Sequence, residues 1–220
     1  MNPSRPLVVF EISRIPVIIQ PMAVVMLLVF GLIWVGQGVS LAKVGSVIVF
    51  MVVALVSIIG HELGHALMAR GLGMGVRQIT VHGMGGTCQY QRAGSPARML
   101  AASLAGPGAG FLLALLGFIP LFFLGSHLPG ALMEVLATVL SINLVWSIFN
   151  LVPLSRLDGG HALGHLLRMR LRSDQVRKIS TGVSIGAGAL LCLYGLSRGE
   201  GFLVAFGGYS IYNDVQELRA

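Results

Sequence analysis

Residues 45 to 69 form an apolar run long enough to cross a bilayer as one helix, and its second half carries His61-Glu62-Leu63-Gly64-His65. Ionisable groups at that depth need a reason, because an unpaired one near the middle of a membrane helix costs on the order of 2.5 to 3.5 kcal/mol even on the gentler insertion scale. A helix advances about 100° per residue, so His61 and His65 project from one face at a spacing that suits a single metal ion. Glu62 stands beside the pair and outside the ligand set, where a carboxylate can take a proton from an attacking water. The competing arrangement, two buried histidines satisfied by helix neighbours and a carboxylate paired to an arginine, would have to meet the burial cost with no ion to offset it.

Of 220 residues, 55% are hydrophobic and 10% are charged. Soluble domains carry about 25% charged residues, so this chain cannot cover a globular surface with polar groups, and lipid must cover it instead. Apolar segments fall at roughly 16 to 35, 45 to 69, 99 to 124, 132 to 152 and 179 to 197, with a shorter one at 201 to 213. The composition predicts an all-α polytopic membrane protein of about six transmembrane helices, forming a single membrane-embedded domain over residues 1–220. The first apolar run lacks a small-residue cleavage site, so the N-terminal segment is expected to be retained. Cys88 and Cys192 form no CxxC and suggest no disulfide framework.

If the spans alternate, twelve basic residues share one side: Arg5, Arg14, Arg70, Arg77, Arg92 and Arg98, with six more from Arg156 to Lys178. Lys43 and Arg198 face the other. The positive-inside rule then places the N-terminus and these loops in the cytoplasm. His61 lies nine residues before Arg70, roughly 13 Å below the cytoplasmic boundary at about 1.5 Å per residue, so water must reach it from that side. The net charge of +7 comes from these loops and predicts contact with anionic lipid headgroups; no aromatic-interleaved basic patch suggests nucleic acid.

A catalytic zinc takes three protein ligands and keeps a fourth position open, so His61 and His65 need a partner. Apart from Glu62, Asp158 is the one acidic residue close to an apolar span on the same side without a solvated loop around it. Gly159 and Gly160 follow it and let the backbone bend sharply. Asp158 could instead cap a helix over 160–172. His161 and His165 repeat the i, i+4 spacing, but no Glu follows His161 and three arginines put the segment at the membrane surface; His82 and His127 read as polar loop residues.

Three further features bear on a site. Asn143 and Asn150, seven apart, share one face of the fourth span, where an amide can serve catalysis or interhelical bonding. Gly106 and Gly110 form a GxxxG flanked by Ala105 and Ala109, a signature of close helix contact. Val76 to Tyr90 reads as a small membrane-associated β-hairpin turning near Gly83, Gly85 and Gly86, with Leu7 to Ile12 as a candidate further strand.

Over nearly its whole length the chain resembles the site-2 protease family of zinc intramembrane metalloproteases, in a compact form without PDZ or CBS segments. The resemblance is carried by His61-Glu62-Leu63-Gly64-His65, Ala105-Gly106-Pro107, Asn150-Leu151-Val152-Pro153 and Leu157-Asp158-Gly159-Gly160, in matching order and spacing. It implies one Zn2+ per chain held by His61, His65 and Asp158, with Glu62 activating water and Asn150 donating to the substrate carbonyl. The implied substrate is a transmembrane segment of another protein, cut in the cytoplasmic membrane of a bacterium or archaeon. It also implies a β element whose edge holds an unwound substrate. The family usually has a second proline shortly before Leu-Asp-Gly, and here Ser155-Arg156 stands in that stretch. Gating by PDZ or CBS modules would then come from another chain. A catalytically idle helix-binding relative, or a metal-handling membrane protein using the same histidines, has no need of a general base at Glu62.

Overall fold

The computed structural model describes residues 6–36 and 40–219; Arg5 lies outside them. In chain order the elements are β1 (Val8–Ile12), β2 (Ile15–Ile19), α1 (Pro21–Val35), α2 (Leu41–Gly71), β3 (Val76–His82), β4 (Gly85–Tyr90), α3 (Pro96–Leu124), α4 (Gly130–Asn150), α5 (Asp158–Leu167), α6 (Ser173–Arg198) and α7 (Gly201–Arg219). They divide into two compact units, residues 1–93 with 105–147, and 94–104 with 148–220, the boundaries falling just before α3, within α3 and within α4.

In the first unit the four strands pair in the order β1-β2-β3-β4, antiparallel except for the parallel β2–β3 pair. The expected hairpin and the strand at 7–12 are both present, joined by β2. Along β2 the buried residues alternate, Ile15, Val17 and Ile19, as a half-buried strand requires. Ile15, Val17 and Ile79 pack on Ala66 with Ile59 and Leu63 beside them, so the sheet lies on the half of α2 that carries the histidines. Each such side chain contributes about 1.5 to 3 kcal/mol by leaving water. The β1–β2 turn runs through Ser13 and Arg14, both left-handed at φ 52° and 62°, and Arg70 at the end of α2 donates to Ser13 O at 2.5 Å.

The first apolar run differs from its expected single span. Pro16 favours extended backbone across the β-branched Val17, Ile18 and Ile19, which suit a strand but read alike in an apolar helix, and Pro21 at the helix start keeps Gln20 out of the helical region. Only 15 residues remain for α1, about 22 Å against a hydrocarbon core of about 30 Å. Among the described residues four helices are long and apolar enough to cross a membrane, Lys43–Gly71, Pro96–Leu124, Gly130–Asn150 and Ser173–Arg198. α7 has 19 residues but carries Asn213, Asp214 and Glu217 in its last two turns. Along α3, Leu112, Leu116, Phe122 and Phe123 are 63–71% exposed, a surface that lipid would cover.

Small residues set the helix seams. In the first unit, a Cβ on Gly64 of α2 would strike Ala105 O and Ala109 Cβ of α3, and one on Gly110 would strike Ser147 Oγ of α4. In the second unit, α6 ends at Gly199, left-handed at φ 71°, and α7 begins two residues later. This helical hairpin closes where a Cβ on Gly207 would sit 2.7 Å from Gly188 O. The loop after α4 folds back on the start of α5: a Cβ on Gly159 would strike Leu151 O, and one on Gly160 would strike Leu154 O.

Candidate metal centre

His61, Glu62 and His65 lie in the interior of α2, only 4–5% exposed. The i, i+4 spacing brings the two rings edge to face with centroids 4.9 Å apart, and their Nε2 atoms stand 3.2 Å from each other. That separation suits one shared proton and equally one shared ion, since two ligands about 2.0 Å from a tetrahedral zinc are about 3.3 Å apart. Gly106 explains how α3 passes so close: a Cβ there would fall on His65 Nε2 and only 2.8 Å from His61 Nε2. The GxxxG seam expected from the sequence therefore does more than join helices, because Gly106 leaves the space on the donor side of both imidazoles open.

Glu62 is capped by the sheet. A Cβ on Gly86 of β4 would strike the Glu62 side chain, so only glycine lets this strand cross the carboxylate. The sequence marked Gly86 as a turn residue and missed this contact. The signal available was Gly85-Gly86 continuing into a strand, where an interior glycine marks a close approach of backbone to another group. On β4, burial pushes the Cys88 thiol up to about 12, with the Glu62 charge adding to the rise. The shift disfavours the thiolate, the form that binds metals or attacks as a nucleophile.

Asn143 is 3% exposed and donates to Ser57 Oγ of α2 and to Val139 O, each at 2.8 Å. It is the interhelical bond of the two roles considered. Asn150 is the last residue of α4 and 8% exposed. Asp158 is the first residue of α5, half-buried, with Leu157 at the cap position, so it does not cap the helix, which ends at Leu167.

Among the described residues, the His, Cys, Asp or Glu side chains that could together hold a metal ion are His61 and His65 of the first unit and Asp158 of the second. Two imidazole nitrogens and one carboxylate oxygen are a donor set that catalytic zinc uses. His161 and His165 gather no third ligand there. His165 is held below its ordinary pKa by burial, then by Arg168 and His161, which disfavours a proton but adds no donor. His82 bonds Thr87 Oγ1 at 2.9 Å across the hairpin, and burial lowers its pKa.

No protein-family model matches the chain. In sequence it is 30% identical over 176 residues to the Mycobacterium tuberculosis protein Rip3, provisionally named a zinc metalloprotease, a match covering 76% of this chain and 44% of that one. A Synechocystis protein with the same provisional name is 28% identical over 173 residues, 73% of this chain and 44% of the relative. The zinc metalloprotease MJ0392 of Methanocaldococcus jannaschii is 25% identical over 171 residues, 78% and 50%. The chain thus spans about half the length of these relatives. In fold it matches the solved site-2 protease from Methanocaldococcus jannaschii, with a TM-score of 0.66 and 24% identity over 97% of this chain and 95% of that one. Four apolar helices and the matching fold make it an integral membrane protein.

Proposed function

We propose that the chain is a member of the site-2 protease family, supported by its similarity to zinc metalloproteases and to a site-2 protease fold, and that it is a zinc-dependent endopeptidase cutting a transmembrane segment of another membrane protein, with residues 1–220 forming one metalloprotease domain. The observation that carries this is a buried carboxylate, Glu62, between two histidines whose Nε2 atoms converge to 3.2 Å. Neither helix binding nor metal transport calls for that third group.

In this proposal His61, His65 and Asp158 hold the ion. When bound, it supplies Lewis acidity that lowers the pKa of water and polarises a carbonyl. Glu62 takes the proton of the attacking water and returns it to the departing amine, a role favoured by its burial under Gly86 of β4. Asn150 donates to the substrate carbonyl oxygen as charge develops there. A helical peptide bond hides its carbonyl, so cleavage requires local unwinding and partners for the freed backbone groups. β4 is an edge of the sheet and lies against Glu62, which supports strand addition of the unwound segment beside the general base.

The basic loops support cytoplasmic placement of the N-terminus and of water entry to the site, in a bacterial or archaeal cytoplasmic membrane, with anionic lipid against those loops. This orientation requires α1 to cross with its 15 residues, through local thinning of the bilayer. Single cysteines at 92 and 172 should be labelled from the cytoplasmic face and one at 127 from the opposite face; labelling of position 92 from outside intact cells overturns the orientation. The activity is tested by co-expression with a panel of single-span membrane proteins. A gel shift in at least one substrate with wild type and none with Glu62→Gln is the expected result, and identical patterns for both across the panel would remove the proposal.

A further inference from the structure

The loop from Leu151 to Leu157 delivers Asp158 to the start of α5, and the second unit holds it by more than its own folding. Within the loop, Leu154 N donates to Val152 O at 2.8 Å and Leu157 N to Leu154 O at 2.9 Å, while Leu154 is fully buried. Ser155 N turns away from these bonds and donates to Ser184 Oγ of α6 at 2.9 Å. The Ser184 hydroxyl in turn donates to Asp214 Oδ2 of α7 at 2.5 Å. Ser184 is 0% exposed and Asp214 2%.

A buried carboxylate is costly unless its hydrogen bonds are made, and none of the catalytic roles assigned above uses Asp214. Its effect on Ser184 is directional. A serine hydroxyl can donate to any acceptor in reach, including a carbonyl one turn back in its own helix. With Asp214 taking the proton, the Ser184 lone pairs are left facing Ser155 N. The loop amide is then held at a fixed point three residues before Asp158, and the carbonyl contacts of Gly159 and Gly160 leave little slack between.

We propose that Ser184 and Asp214 are positioning residues for the third metal ligand, a clamp that fixes the Asp158 carboxylate through Ser155. The inference rests on the reading of Asp158 as a ligand. Removing Ser184 leaves both Ser155 N and Asp214 without their bond. Removing Asp214 leaves the hydroxyl free to turn.

The test uses purified full-length protein in detergent, with bound zinc challenged by a chelator and with Co2+ exchanged into the site to report ligand geometry by its visible absorption. Ser184→Ala and Asp214→Ala should each speed zinc loss by about tenfold, corresponding to about 1.4 kcal/mol of lost ligand positioning, and should weaken or shift the Co2+ bands. Ser184→Thr, which keeps the hydroxyl, and Asp214→Asn, which keeps an acceptor, should stay close to wild type. Wild-type zinc retention and Co2+ bands in both alanine variants would reduce the pair to helix packing. Equal defects in the alanine and conservative variants would also overturn the clamp, because the loss would then follow from volume and not from the hydrogen bonds. Asp158→Ala is run alongside: if it keeps its zinc and its spectrum, the ligand assignment fails, a result distinct from failure of the clamp.

Discussion

Glu62→Gln is expected to keep one zinc per chain while slowing peptide hydrolysis by roughly 10²- to 10⁴-fold, the usual worth of a positioned general base. The amide fills the same space under Gly86 and leaves His61 and His65 untouched, so the ion is retained and only proton transfer is lost. His61→Ala, His65→Ala and Asp158→Ala should behave oppositely, losing zinc together with activity, because each removes one of the three proposed donors to the ion. Metal analysis of the purified variants and cleavage of a co-reconstituted substrate separate the two classes. Loss of zinc from Glu62→Gln would move Glu62 into the ligand set, and a Glu62→Gln enzyme of undiminished rate would end its role as base.

How much of this was legible beforehand depends on the kind of signal. The histidine pair was legible because helical periodicity alone fixes where i and i+4 point, and the α3 seam because Ala105, Gly106 and Ala109 can serve few purposes in an apolar helix. Asp158 was reached as a candidate by elimination, since a membrane chain has few carboxylates to choose from. The β2–α1 boundary was not: an apolar run reads alike as strand or helix, and Pro16 and Pro21 were the only local evidence that the helix starts late. β2 beside β3 was equally hidden, because a parallel pair joins residues 17–19 to 79–81 with two helices between them. The Gly86 cap on Glu62 and the Ser155–Ser184–Asp214 chain escaped for the same reason. Each is a contact between segments far apart in sequence, and neither leaves a periodic trace.

Gly106→Ala should cost the protein its metal, although it adds a single methyl group to a helix. That methyl would fall on His65 Nε2 and 2.8 Å from His61 Nε2, the two atoms that must turn toward the ion. α3 cannot simply retreat, since Gly64 is already held against Ala105 O and Ala109 Cβ on the same seam. Overpacking of this kind costs about 1 to 3 kcal/mol, roughly a 5- to 150-fold loss of zinc affinity if it falls on the metal-holding rotamers. Gly108 supplies the control: it lies two residues along the same helix with nothing within 4 Å of its would-be Cβ. Gly108→Ala should therefore leave zinc unchanged and stabilise the helix slightly, by up to about 1 kcal/mol, because alanine is the better helix former. Zinc titration of both variants against a competing chelator decides the matter. Equal affinities in the two would show that the imidazoles move aside without cost, and the tight passage of α3 over the histidines would then be no part of how the metal is held.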